Sequence, residues 1–125
     1  VTDVDDLGID RDQRYCWVTI AGRVTARRRT VELWFVPADG GVFLMSGSGG
    51  LTQWCLDLER EEQAVLRIAD RQWHVRAAQV LDDRVRAAAL ELFHEKYDSV
   101  GHDRLTAWLD NAVVFRLVVT RPLVT

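Results

Sequence analysis

Residues 19–54 read TIAGRVTARRRTVELWFVPADGGVFLMSGSGGLTQW, and the fold turns on this stretch. Side chains alternate across a pleated strand, so Val31, Leu33 and Phe35 point one way while Glu32, Trp34 and Val36 point the other. Both sets are largely apolar, which predicts a central strand over Val31 to Val36. Asp39-Gly40-Gly41 offers positive-φ positions for a tight reversal into a strand at Val42 to Met45. Upstream, Tyr15 to Ile20 is rich in β-formers and ends at Gly22. The first half of the chain therefore reads as an antiparallel meander. Two of its connections combine arginine or bare glycine backbone with hydroxyls: Gly22 to Arg29, and Ser46-Gly47-Ser48-Gly49-Gly50. Guanidinium forks and unscreened N–H groups hold anions, so these connections suit a bound phosphate.

Outward from this stretch the period changes. Leu51, Trp54, Cys55 and Leu58 follow the i, i+3, i+4, i+7 spacing of an amphipathic helix, with Asp57, Glu59, Arg60 and Glu61 expected mainly outside and Thr52 or Ser48 as its cap. A second hairpin is predicted from Ala64 to Ile68 and Trp73 to Val80 around Asp70-Arg71. A further helix starts near Asp82-Asp83, where acidic residues favour the helix dipole, and places Val85, Ala88, Ala89, Leu92 and Phe93 on its packed face up to Tyr97. Leu105, Trp108 and Leu109 suggest one more helical piece, and Val113 to Val119 a closing strand before Pro122. Six strands joined mostly by hairpins leave edges that need closure, which predicts a mainly β, α+β architecture: a small antiparallel barrel with helices outside it.

With 125 residues, 48% of them hydrophobic, the chain is expected to form a single domain over residues 1–125, with residues 1–13 as a flexible acidic arm. No apolar run approaches the length of a membrane span or a signal peptide, so the expected location is cytoplasmic. Cys16 and Cys55 then read as free thiols rather than a disulfide. The net charge of −3 argues against a nucleic-acid partner. Lys96 is the sole lysine among sixteen basic residues, and the heavy use of Arg, Ala, Val and Asp suggests a bacterial, high-GC source. Five tryptophans exceed what one small core needs, which leaves room for a homodimer.

Several stretches in register resemble the deazaflavin-dependent nitroreductases, a branch of the flavin-binding split β-barrels that includes proteins like pyridoxamine-phosphate oxidase. They are residues 19–25 (TIAGRVT), 31–35 (VELWF) and 43–47 (FLMSG), then Trp54 with Leu58, and Glu95-Lys96-Tyr97 before the closing strand. The resemblance implies a six-stranded antiparallel split β-barrel with outer helices, binding deazaflavin (coenzyme F-420) or FMN. It implicates Arg23, Arg28, Arg29 and Thr30 on one side of the cofactor, and Ser46, Gly47, Ser48 and Trp54 on the other. It also implies an oxidoreductase that passes hydride from the reduced cofactor to a small-molecule electron acceptor: a quinone, nitro compound or similar flat electrophile. Three positions depart from the family pattern: Ala26 replaces a glycine, Arg27-Arg28-Arg29 replaces a proline-containing segment, and Asp57-Leu58 replaces Asn-Leu. These departures favour the alternative, a non-catalytic split-barrel protein that binds or stores a flavin or another flat ligand.

No Ser/His/Asp order, metal-ligand spacing or shared carboxylate pair is visible in the sequence, which points away from hydrolytic and metal chemistry. His74, His94 and His102 read as ordinary structural or surface histidines. Trp34 reads as core. Hydride transfer needs no acid–base constellation, because the cofactor carries the reaction and the protein supplies binding, orientation and exclusion of water.

Overall fold

The computed structural model describes residues 9–10, 12–21, 28–46, 52–97 and 112–122. The strands are β1 (Cys16–Ala21), β2 (Arg28–Leu33), β3 (Phe35–Ala38), β4 (Gly41–Ser46), β5 (Gln63–Ile68), β6 (Arg71–Gln79) and β7 (Val113–Pro122). Helix α1 (Gln53–Arg60) lies between β4 and β5, and α2 (Asp83–Tyr97) follows β6. All pairings are antiparallel, in the order β2-β1-β5-β6-β7-β4-β3. The two end strands are consecutive in sequence and separated only by Trp34, so the sheet must curl until its ends nearly meet. The result is the expected split barrel flanked by helices.

One element differs from its sequence reading. The predicted central strand over Val31 to Val36 breaks at Trp34, and its halves form the two ends of the sheet rather than its middle. Among the described residues the strands therefore number seven, where the sequence reading had six. Pro37 accords with an edge position, since a residue without an N–H can sit in a strand that has one unpaired side.

The hairpin signals hold. Gly40 has a φ of +71°, which an L side chain rarely adopts, and Ala38 pairs with Gly41 across the turn. Gly41 is required for a different reason: a Cβ there would clash with the Leu117 carbonyl oxygen of β7. At the β5–β6 turn Ala69 takes a φ of +55°, and the Arg67 guanidinium donates to its carbonyl at 3.1 Å.

Two apolar clusters follow from the alternation. Cys16, Val18, Ile20, Phe35, Leu44, Leu66, Trp73, Phe115 and Leu117 fill the barrel, and α1 adds Cys55 and Leu58 to the same cluster. On the outside, α2 sets Ala89, Leu90, Phe93 and Tyr97 against Val36, Met45 and Val114. This face of α2 is the predicted one only in part: Ala89 and Phe93 are buried as expected, but Leu90 is buried with them while Val85, Ala88 and Leu92 are exposed. The helix carries apolar residues on two faces, so periodicity alone could not tell which one meets the barrel. Asp82 caps it, accepting the Arg84 and Val85 N–H groups through Oδ1. Among the described residues no helix is long and apolar enough to cross a membrane.

Candidate functional site

The register of β1 and β2 sorts the arginine run. Ile20 pairs with Arg29, Thr19 with Thr30 and Ala21 with Arg28. Paired residues share a face, so Arg29 lies on the side of the buried Ile20, at the mouth of the barrel, while Arg28 and Thr30 lie on the outer face. Arg29 Nη1 reaches Asp57 Oδ2 on α1 at 3.8 Å, its side chain half exposed and that of Asp57 2% exposed. Gln53, one helical turn before Asp57, donates its Nε2 to Asp57 Oδ1 at 2.9 Å. Asp57 was expected outside and is instead buried. It flanks the Trp54–Leu58 stripe on the helical wheel, and an arginine from β2 allows the carboxylate to sit there; that flanking position is the signal by which sequence could have found it.

A second polar string runs beside the first. Ser46 ends β4, is buried, and its Oγ lies 3.3 Å from Thr52 Oγ1. Thr52 occupies the cap position of α1, yet its hydroxyl donates to Cys55 Sγ at 3.1 Å rather than capping the helix with its side chain. Burial pushes the Cys55 thiol above its ordinary value, against the opposing pull of its hydrogen bonds to Thr52 and Ser46. Trp54 is half-buried and packs on Phe115, ring centroids 5.7 Å apart at 58°.

Of the residues singled out in sequence, Arg29, Ser46 and Trp54 are thus gathered along α1. Arg28 and Thr30 are not. Thr30 Oγ1 meets Thr19 Oγ1 at 2.9 Å, and Arg28 lines an outer cleft of about 290 Å³ with His74 and Arg121. Arg23, Gly47 and Ser48 lie outside the described residues, as do Leu51 and the helical piece expected near Leu105 to Leu109. Among the described residues no group of three or more His, Cys, Asp and Glu side chains could hold a metal ion.

The opposite seam of the barrel is held by residues that sequence had singled out only in part. The Tyr97 hydroxyl accepts the Phe35 N–H at 3.0 Å and donates to the Arg14 carbonyl at 2.7 Å, while Lys96 Nζ donates to the Phe35 carbonyl at 3.0 Å. Trp34 stacks on Tyr97 with centroids 4.2 Å apart and planes 4° apart. Phe35 pairs with Leu44 on its other side, so α2 supplies the partners that a further strand would otherwise give to the β3 edge. Burial pulls Lys96 down to about 8, with nearby Arg14 adding to the effect and Cys16, Asp12 and Asp10 opposing it. Burial also lifts Tyr97 to about 12.

No family model matches the chain, and no curated protein does. Solved structures do. A conserved hypothetical protein from Mycobacterium tuberculosis is similar at a TM-score of 0.77 and 15% identity, over 98% of this chain and 82% of that one. HutZ, the heme storage protein from Vibrio cholerae, is similar at 0.69 and 14%, over 90% and 84%. An F420-H2 dependent reductase is similar at 0.66 and 16%, over 82% and 93%. At such identities the likeness establishes the fold, and the fold is the split β-barrel that these structures share.

Proposed function

We propose that this chain binds a phosphorylated flavin-type cofactor, deazaflavin or FMN, at the mouth of the barrel beside α1. On this reading it serves as an oxidoreductase toward a quinone, nitro compound or similar flat electrophile. The observation that carries the reading is the gathering of Arg29, Ser46, Thr52 and Trp54 along α1. Together they offer half of an exposed guanidinium, two hydroxyls at a helix start and an aromatic wall, which suit a phosphate joined to a flat ring. Arg29 would hold the phosphate, with Arg23, Gly47 and Ser48 completing the cradle; Arg28 and Thr30, on the outer face of β2, lie away from it. Trp54 would wall the ring and keep water from it. The cofactor, when bound, supplies the hydride. The likeness to a reductase named for reduced F420 supports this choice of chemistry.

One observation favours a second reading. Asp57 stands 3.8 Å from Arg29 and offsets part of the charge that a phosphate would use. A site with a muted arginine suits a protein that binds or stores a flat ligand without turning it over, and the likeness to a heme storage protein is of that kind.

Calorimetric titration of the purified protein with FMN and with deazaflavin tests both readings. Binding of at least one is expected, and Arg29→Ala should weaken it roughly ten- to a hundred-fold, the effect of one charge-assisted contact. Anaerobic mixing of the reduced complex with a quinone or a nitroaromatic then separates them: oxidation within seconds supports the reductase, tight binding without turnover the binding protein. If neither cofactor binds the parent protein, the oxidoreductase reading fails, and the second reading fails as well if heme, titrated in the same way, does not bind.

A further inference from the structure

We propose that the outer face of the barrel carries a second binding site, separate from the mouth, for a small dicarboxylate. The site is the cleft over β1, β5 and β6. Strand register assembles its floor: Thr19 pairs with Thr30 and with Val65, Val65 with His74, and His74 with Arg121. Paired residues share a face, so this row crosses five strands on the side turned away from the core. Arg28 stands on the same face, two residues along β2 from Thr30. It lines the cleft of about 290 Å³ together with Thr19, Glu61, Gln63, His74 and Arg121.

Arg121 reaches this face only because the ladder slips. Val119 pairs with Val75, which is buried in the barrel, and unbroken alternation would turn Arg121 the same way. Instead the register shifts between His74 and Val75, Thr120 becomes an extra residue on β7, and Arg121 comes to lie beside His74. The Thr120 hydroxyl donates to the His74 carbonyl at 3.1 Å and so ties the bulge to β6. Bulges re-aim side chains, and this one places a guanidinium in the cleft.

The charge gathered there is not neutralised from within. Among the described residues neither Arg28 nor Arg121 has an ion-pair partner. Arg76 and Glu62, at the neighbouring edge, offset each other at 3.9 Å. Among the described residues Glu61 is the carboxylate that lines the cleft, and its Oε1 already accepts the Gln63 N–H at 3.2 Å. In the sheet β2 and β7 flank β1, β5 and β6, so the Arg28 and Arg121 side chains enter from opposite walls. Two guanidinium forks set apart suit an anion with a carboxylate at each end better than one compact phosphate. No Phe, Trp or Tyr is among the described residues lining the cleft, so it offers no wall to a flavin ring.

Calorimetric titration of the full chain with succinate, in a buffer free of phosphate and carboxylates, is the test, with circular dichroism to confirm that each variant folds. Succinate should bind at least about ten-fold more tightly than acetate, which can engage only one fork. Arg28→Ala and Arg121→Ala should each lower succinate affinity to that of acetate, and Glu61→Gln should raise it several-fold. Arg29→Ala, at the mouth, should leave succinate affinity within about two-fold, and Arg28→Ala should do the same for FMN, so the two sites stand or fall separately. The proposal is overturned if succinate does not bind, if acetate binds as tightly, or if inorganic phosphate binds more tightly. A loss on Arg29→Ala equal to the loss on Arg28→Ala also overturns it, because the anion would then sit at the mouth.

Discussion

The two ends of the broken second strand meet different treatments. At Phe35 the backbone N–H and carbonyl are satisfied by Tyr97 and Lys96, and Trp34 is stacked flat on Tyr97, so the seam is closed by side chains in fixed geometry. At Arg29, six residues earlier, the guanidinium is tied to a buried carboxylate by one long contact and remains half exposed. One short stretch of chain, through β2 and β3, thus supplies a sealed joint and a polar mouth. The difference follows from what stands opposite: α2 brings a hydroxyl and an amine to the first, whereas α1 brings a carboxylate, a thiol and a hydroxyl to the second. Stability is concentrated at the joint, and charge that a ligand could use at the mouth.

Removing the joint's hydroxyl should have the largest effect. Tyr97→Phe strands the buried Phe35 N–H and removes the donor to the Arg14 carbonyl, and is expected to cost about 2–3 kcal/mol in urea unfolding while leaving cofactor affinity within two-fold. A loss of affinity as large as the loss of stability would erase the distinction between the two ends.

At the mouth the signs reverse. Asp57→Asn keeps an acceptor for Gln53 Nε2 but removes the charge beside Arg29, so stability should change by less than about 1 kcal/mol, as for a half-exposed pair. FMN or deazaflavin should bind several-fold more tightly, measured by the same calorimetry. Weaker binding would mean that Asp57 serves to position Arg29 rather than to mute it.

The smallest expected effect is one of pH, and it belongs to the joint. Lys96 has a folded-state value near 8 against an ordinary 10.5, so the fold bears the cost of a poorly solvated ammonium below pH 8. Between about 8 and 10 the folded amine loses its proton before the unfolded one does, which by itself raises stability, while above pH 9 the buried Cys16 thiol, near 12 when folded against an ordinary 9, opposes it. Tyr97, near 12 when folded against an ordinary 10, works the other way above pH 10, where only the unfolded phenol ionises and stability should fall. Arg14, Cys16, Asp10 and Asp12 act on the same groups, so Lys96→Met is the control: the rise between 8 and 10 should vanish from its thermal melts.

What could be read in the sequence was local. The Asp39-Gly40 and Asp70 turns, the strands beside them and the span of α2 are fixed by neighbours a few residues apart. The break at Trp34 was not legible, because what replaces the ladder there is Tyr97, 62 residues away. Asp57 was assigned to solvent because a lone carboxylate belongs there; its partner on β2 appears only once the barrel is rolled. The convergence of Arg29 with α1, and the separation of Arg28 from it, depend on strand register, which a one-residue shift would invert. The resemblance placed Ser46 and Trp54 in one neighbourhood but could not say which arginine would join them.

The position of β7 carries a consequence for how the molecule folds. Within the sheet, β2-β1-β5-β6 and β4-β3 are two separate pieces until β7 pairs with both, at Val75 to Val119 on one side and Leu44 to Phe115 on the other. The β3–β4 and β5–β6 hairpins can form early from nearby residues, but ring closure must wait for a segment more than sixty residues beyond β4. Closing so long a loop costs chain entropy before any contact repays it, which sets closure as the slow step. Pulsed hydrogen exchange during refolding should therefore protect the β5–β6 amides before those bonded between β4 and β7, and simultaneous protection would show that the barrel closes in one event.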